Sequence, residues 1–267
     1  MQPTWKDTWK YCYTYDLLEI YGETKQNIGY AYAYEMRKNN TLALIQSVVP
    51  KGGDILDIAA AQGNFSLKLA ELGYNVTWND IREDLAEYVE MKKEFGSITY
   101  KPGNAFEVKF DGLFDLVLAT EIIEHVAHPD EFLASLAKLI KPGGHIVIST
   151  PLGSYFSNRL PKFTKVEDAS VFEEKQFGPN EEDHIFLLHL DEIPVLAQRS
   201  GLQVMAVNYY ANPLTSGHIK LSPLLRVLPK NFVMKLERFT QKLPQNIGRR
   251  IHHNFAVLFK KDAGLTF

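Results

Sequence analysis

Thr120-Glu121-Ile122-Ile123-Glu124-His125-Val126-Ala127-His128-Pro129 places two carboxylates and an imidazole directly after the run from Phe114 to Ala119. That run reads as an apolar strand buried on both faces of a parallel sheet. In a doubly wound sheet the carboxyl ends of the strands face the ligand crevice. Thr120, Glu121, Glu124 and His125 therefore stand where a reacting group would lie. Histidine titrates near pH ~6.5 when unperturbed and can take a proton from a weak nucleophile such as a hydroxyl.

A second constellation lies upstream. Asp57-Ile58-Ala59-Ala60-Ala61-Gln62-Gly63-Asn64-Phe65 joins an apolar strand to a helical pattern. Small residues at such a turn let a ligand approach the backbone, and the helix N-terminus offers N–H groups to an anionic moiety. Asp80 follows the next strand, 17 residues after Gly63, with Ile81 beside it. A carboxylate there can accept hydrogen bonds from both hydroxyls of a ribose. Gly103-Asn104-Ala105-Phe106 follows a third strand, where an amide can meet a base edge.

The elements that must position these groups alternate. Strands are expected at 55–58, 76–78, 98–101, 114–119 and 145–149, and again at 202–207 and 254–259. Helices are expected at 27–49, 65–72, 84–95, 129–140 and 190–200. Alternation at this spacing implies βαβ units in a doubly wound α/β sheet. The roughly 45 residues before the last strand are too long for a structureless loop. Phe232, Leu236, Phe239 and Leu243 fall on one side of a helical pattern, with Lys235, Arg238 and Lys242 interspersed. The expected organisation is an N-terminal helical lid over 1–50, a core over 51–210, an inserted basic amphipathic cap over 211–253, and a last core strand and tail over 254–267. The apolar stripe of the cap is expected to pack on the sheet or on a partner subunit.

Together, Ile55-Leu56-Asp57 with its small-residue loop, Asp80, Asn104-Ala105, Phe114-Asp115-Leu116-Val117 and Leu139-Ile140-Lys141-Pro142-Gly143-Gly144 resemble the class I S-adenosylmethionine (SAM) dependent methyltransferases over about residues 50–210. The resemblance implies a Rossmann-like seven-stranded sheet with a reversed final hairpin and an insertion before the last strand. It implies SAM as cofactor, held by Asp57, Ala59, Ala61, Gly63, Phe65, Asp80, Ile81, Asn104, Ala105 and Thr120. Ala59 and Ala61 stand where glycines are usual, and Asn104 where an aspartate is usual. The Glu-x-x-Glu-His order of Glu121, Glu124 and His125 resembles the ubiquinone-biosynthesis O-methyltransferases and the small-RNA 2′-O-methyltransferases. In the latter such a segment, with a later histidine, holds a divalent metal. Asp183-His184-Ile185-Phe186 can supply that histidine. Glu121, Glu124, His125 and His184 would then form a mixed oxygen and nitrogen site for magnesium, manganese or zinc. Without metal, His125 is the expected base or substrate contact. His128, His189, His252 and His253 are read as surface or packing residues.

Composition bounds the rest. The chain has 267 residues and a single cysteine, Cys12, which excludes an internal disulfide framework and cysteine-rich zinc sites. The first residues lack the apolar segment of a signal peptide and no apolar run reaches a membrane span, so the expected compartment is the cytoplasm. Ten Lys/Arg and one acid, Glu237, lie between Lys220 and Lys261, a local charge of +9 against −12 elsewhere. That segment is either a solvated surface or a surface for something anionic, such as a phosphorylated or lipid-linked acceptor or a membrane. Nucleic acid is disfavoured, because its aromatics fit an amphipathic helix better than a base-stacking platform. Tyr11, Tyr13, Tyr15, Tyr30, Tyr32 and Tyr34 either line a lid or pack the N-terminal helices. The leading expectation is O-methylation of a small-molecule hydroxyl. The alternatives are a nicotinamide-dependent oxidoreductase, disfavoured by the missing Gly-x-Gly-x-x-Gly, and a non-catalytic SAM-fold binding protein. Nothing in the sequence indicates an oligomeric state.

Overall fold

The computed structural model describes residues 2, 4–22, 27–154, 158–176, 184–217 and 221–262. Seven strands form one sheet in the order β3-β2-β1-β4-β5-β7-β6. They are β1 (Asp54–Ile58), β2 (Asn75–Trp78), β3 (Ile98–Tyr100), β4 (Phe114–Thr120), β5 (Ile140–Pro151), β6 (Leu202–Tyr210) and β7 (Asn254–Lys261). The first five pair in parallel, and β7 inserts antiparallel between β5 and β6. The expected seven-stranded sheet with a reversed final hairpin is therefore present.

Nine α-helices accompany the sheet among the described residues: α1 (Asp7–Glu19), α2 (Ile28–Val48), α3 (Asn64–Glu71), α4 (Leu85–Lys92), α5 (Pro129–Leu139), α6 (Ile193–Arg199), α7 (Ser222–Val227), α8 (Lys230–Gln241) and α9 (Gln245–Ile251). One face of the sheet packs against α5 and α6 through Leu133, Leu136, Ile193 and Leu196. The other packs against α2, α3 and α4 through Ile45, Leu69, Leu85 and Val89. The central strands are buried on both sides, which is why they read as apolar runs.

Local chemistry sets the helix ends. The Asn27 side chain accepts the Tyr30 N–H at 3.0 Å and starts α2. Pro129 opens α5, with Asp130 and Glu131 in its first turn. Lys261 donates from Nζ to the carbonyls of Ala137 (2.7 Å) and Ile140 (3.3 Å), satisfying acceptors at the end of α5. Helix α6 is shorter than expected, because Pro194 stands in its first turn and bars an upstream extension.

The segment between β6 and β7 differs most from expectation. It holds three helices, and the stripe of Phe232, Leu236 and Phe239 faces solvent, at 53%, 36% and 63% exposure. The expected packing of that stripe on the sheet does not occur. Helix α8 instead buries Val233 and Glu237. The Glu237 carboxylate accepts the backbone N–H groups of Ala211 (2.8 Å) and Asn212 (3.1 Å) and the Thr215 hydroxyl (2.6 Å). A buried carboxylate with those donors fixes the rotation of α8 and turns its apolar stripe outward. Glu237→Ala leaves the Ala211 and Asn212 N–H groups unmatched and should destabilise the fold by about 3 kcal/mol. Urea unfolding of the two proteins measures this, and a change below about 1 kcal/mol would contradict the anchoring role.

Candidate active site

A cavity of about 950 Å³ opens at the carboxyl ends of β1, β2 and β4 and is walled on the other side by α1 and α2. That volume suits a small-molecule site. Asp57, Ala59, Ala61, Phe65, Asp80, Ile81, Asn104, Ala105 and Thr120 all line it. Gly63 shapes the turn beneath it, with φ +70°. A Cβ at Gly63 would lie 2.7 Å from the Val89 methyl groups, so this position needs glycine on both counts.

Ala59 and Ala61 also adopt left-handed backbone, at φ +49° and +47°. A glycine takes that conformation freely, whereas an L-residue with a Cβ pays about 1–2 kcal/mol. The loop therefore keeps the geometry of a glycine turn despite its alanines. Asp80 helps hold it. Its carboxylate accepts from Ala61 N (2.8 Å) and from the Arg82 backbone N (2.9 Å), Nε (2.9 Å) and Nη2 (3.2 Å). The Asn104 side chain closes an Asx turn, accepting from Phe106 N at 3.1 Å and donating to Glu107 at 2.9 Å.

Asp57 is buried and accepts from the Ser66 hydroxyl at 2.6 Å. Burial, opposed by that hydrogen bond and reinforced by the Asp80 carboxylate, pushes Asp57 up to about 7.

At the end of β4 the chain turns sharply, with Glu121 at φ +52°. A 3-10 turn over Ile123–His125 follows. Ile185 and Phe186 donate their backbone N–H groups to the Glu124 carbonyl at 2.8 and 3.2 Å, which brings the distant His184 to this turn. The rings of His125 and His184 meet edge to face at 4.9 Å. Glu124 is buried and accepts from the Thr150 hydroxyl at 2.9 Å. Burial, with the nearby Glu121 charge, raises Glu124 well above the usual carboxylate range. Single ligand atoms of Glu124, His125 and His184 lie within 4.8 Å of one another. Asp183 lies outside the described residues.

Glu121 points elsewhere. It pairs with Arg37 Nη1 at 3.0 Å and accepts from the Ser149 hydroxyl at 3.0 Å. Arg37 also faces Glu19 at 3.9 Å. Burial works against the Arg37 charge, but Glu121, Tyr30 and Glu19 hold its pKa above the ordinary value. Glu19 accepts from Tyr30, Gln62 and Asn64, at 2.6, 3.1 and 2.7 Å. Asp16, fully buried, accepts from Asn64, Tyr88 and Lys92 at 2.8, 2.6 and 2.8 Å. The Arg37 Nε and the Tyr34 hydroxyl are buried on the cavity wall without a hydrogen-bond partner among the described residues.

Of this α1–α2 wall the sequence singled out only the tyrosines, and Asp16, Glu19 and Arg37 were missed. A signal for it existed. Tyr30, Tyr34 and Arg37 follow i, i+4, i+7 spacing and so share one helix face. The tyrosines divide accordingly. Tyr11, Tyr15, Tyr30 and Tyr34 line the cavity, whereas Tyr13 packs on Trp5 and Tyr32 joins a separate apolar cluster with Ile28, Leu225 and Val233.

A methyltransferase-domain family model matches residues 31–207, about two thirds of the chain. The chain belongs to the class I SAM-dependent methyltransferases. A ubiquinone biosynthesis O-methyltransferase from Caulobacter vibrioides is 40% identical over 104 residues, 38% of this chain and 41% of the relative. The chain thus matches about two fifths of the length of the first curated relatives. A protein of the same name from Rickettsia canadensis is 29% identical over 192 residues, 70% of this chain and 77% of the relative. Among solved structures, the N-methyltransferase NodS from Bradyrhizobium japonicum, in complex with S-adenosyl-L-homocysteine, shares the fold. Its TM-score is 0.55 at 12% identity, covering 96% of this chain and 99% of NodS. Magnesium protoporphyrin IX methyltransferase from Synechocystis has a TM-score of 0.55 at 11% identity, covering 94% and 100%. This membership disfavours the nicotinamide-dependent oxidoreductase alternative.

Two predictions follow from the geometry of this class I methyltransferase. Asp80→Ala should weaken SAM binding about 10- to 150-fold, the range for hydrogen bonds to a charged group. Calorimetric titration of the folded variant tests this, and unchanged affinity would remove Asp80 from the site. Asp57 binds its proton more tightly folded than unfolded, so stability falls as pH rises from about 4 to 7. Asp57→Asn should flatten that slope by about 1.4 kcal/mol per pH unit, one proton's worth. Urea unfolding across this range reads the slope, and an unaltered slope would refute the buried, protonated Asp57.

Proposed function

We propose that this protein methylates a hydroxyl of a small molecule, with SAM as donor. The observation that carries the reading is the single cavity that joins the Asp57–Asp80 wall to His125. A base suited to a hydroxyl proton thus shares one chamber with a nucleoside-shaped wall. The names of the curated relatives make a quinone precursor the first acceptor to test. Sugars and anionic or lipid-linked intermediates come next.

Bound SAM supplies a methyl group on a positively charged sulfur, which departs as a neutral thioether. The chain supplies alignment and proton management. Asp80 accepts the ribose hydroxyls in place of the Arg82 fork. Ile81 and Phe106, both exposed at the cavity rim, flank the flat base. Asn104 retains acceptor capacity on its oxygen for the base amino group. Arg37, with the Tyr34 hydroxyl, meets the carboxylate of the amino-acid end, while Glu19 and Glu121 balance its ammonium. A wall carrying one cation and two carboxylates suits a zwitterion. His125 takes the acceptor proton as the new carbon–oxygen bond forms and the carbon–sulfur bond breaks.

A second reading rests on the cluster of Glu124, His125 and His184. Its mixed donors fit a divalent ion, and the Thr150 hydroxyl steadies the buried carboxylate. These three residues would hold the metal, with Glu121 engaged by Arg37. A bound ion would lower the pKa of the acceptor hydroxyl.

His125→Ala should lower turnover about 10²–10⁴-fold, with SAM affinity nearly intact. Transfer of labelled methyl from SAM to a catechol-type quinone precursor measures this. Wild-type turnover in the variant would remove His125 from the chemistry. Excess chelator separates the two readings. Lost activity restored by magnesium, manganese or zinc supports the metal, and full activity leaves His125 as base.

A further inference from the structure

Helices α7, α8 and α9 carry exposed apolar side chains beside exposed cations. On α8, Phe232, Leu236 and Phe239 stand in solvent at 53%, 36% and 63% exposure. Val227 on α7 is 76% exposed and Ile247 on α9 is 44% exposed. Lys235, Arg238 and Lys242 flank the α8 stripe on one side, at successive i, i+3, i+7 positions. All three are exposed, and among the described residues none forms an ion pair. On the other side lies the buried face of Val233 and Glu237.

Packing within the chain does not explain this pattern. The inner side of α8 is already committed through Glu237 to the Ala211–Thr215 turn, and Val233 packs with Ile28 and Tyr32 of α2. The helix therefore cannot roll its aromatics inward without breaking that anchor. Exposed aromatic and aliphatic side chains beside a row of cations form an interfacial amphipathic surface.

We propose that the outer face of α7–α9 docks on an anionic lipid bilayer, with Phe232, Leu236 and Phe239 entering the interface. The charge argues for this occupant. Residues 222–251 carry seven cations, of which Lys230 is paired with Glu35, against one acid, Glu237, which is buried. A second copy of the chain would bring this charge against itself, whereas an anionic leaflet attracts it. No helix among the described residues is long and apolar enough to cross a membrane, so the contact is peripheral. The position is consistent with a role near the cavity. The opposite face of α2 from Ile28 and Tyr32 carries Tyr30, Tyr34 and Arg37, which line it.

Vesicle co-sedimentation tests the proposal, using phosphatidylcholine with and without phosphatidylglycerol. The expected result is binding to the anionic vesicles only, weakening as salt is raised. The triple variant K235E/R238E/K242E should lose about 100-fold or more in vesicle affinity, at about fivefold per cation removed from the surface. The double variant F232S/F239S should also lose binding. Both keep the Glu237 anchor, so the urea midpoint and SAM affinity should match wild type. No binding to anionic vesicles at low salt, or binding indifferent to both variants, overturns the proposal. So does a stable dimer in sedimentation velocity that F232S/F239S disperses, which would assign the face to a second copy. RNA binding lost in the triple variant, without vesicle binding, would assign it to nucleic acid.

Discussion

The Arg37 guanidinium is the contact on which the candidate site depends. It sits where α1, α2 and the end of β4 meet, reaching Glu121 at 3.0 Å and facing Glu19 at 3.9 Å. These groups are far apart in sequence and largely removed from water. Breaking a buried ion pair by removing one partner typically costs about 3–5 kcal/mol, because the other charge is left uncompensated. The pair therefore constrains as well as attracts. It ties α2 to the end of β4 and engages the Glu121 carboxylate. The site is left with three clustered donors, Glu124, His125 and His184, and a separate charged wall. Glu19 extends the network to Asn64, and Asn64 extends it to the buried Asp16 and Lys92. The cavity is thus bounded on one side by backbone turns and on the other by a fixed lattice of charge.

The backbone turns carry their own constraint. Ala59, Ala61 and Glu121 are non-glycine residues in left-handed conformation, and all three line the cavity. Each costs of order 1–3 kcal/mol and persists only where the surroundings over-determine it. The Asp80 carboxylate holds Ala61, and the Arg37 pair with the Ser149 hydroxyl holds Glu121. Such clustering fits a site prepared in advance for its ligand. Asp57 and Glu124 add to that readiness, since burial raises both above the usual carboxylate range and favours their protonated forms.

Much of the sheet was legible because its central strands are buried on both faces and so appear as uninterrupted apolar runs. The nucleotide-type wall was legible for a different reason. Asp57 lies at the carboxyl end of a strand, Asp80 and Asn104 each follow one, and topology carries all three to one end of the sheet. Arg37 was not legible as a site residue, because its partner Glu121 lies on another element and helix spacing alone does not say which face meets the cavity. The orientation of α8 was misjudged on the same kind of ground. Phe232, Leu236 and Phe239 have the spacing of a buried stripe, yet a single buried acid, Glu237, outweighs them. Its carboxylate satisfies two backbone N–H groups and a hydroxyl, a set of partners that hydrophobic periodicity cannot reveal. The backbone strain at Ala59 and Ala61 was likewise invisible, since alanine in a sequence carries no sign of its φ.

The central claim is that the α2 wall recognises the amino-acid end of SAM through Arg37. Calorimetric titration of SAM and of adenosine into wild type and Arg37→Gln tests it most directly, because adenosine lacks that end. The account predicts that the variant loses about 10- to 150-fold in SAM affinity while adenosine affinity is unchanged. Equal SAM affinity in the two proteins would contradict the account. So would a matching loss for adenosine, which would make Arg37 a support for the fold and not a contact for the cofactor.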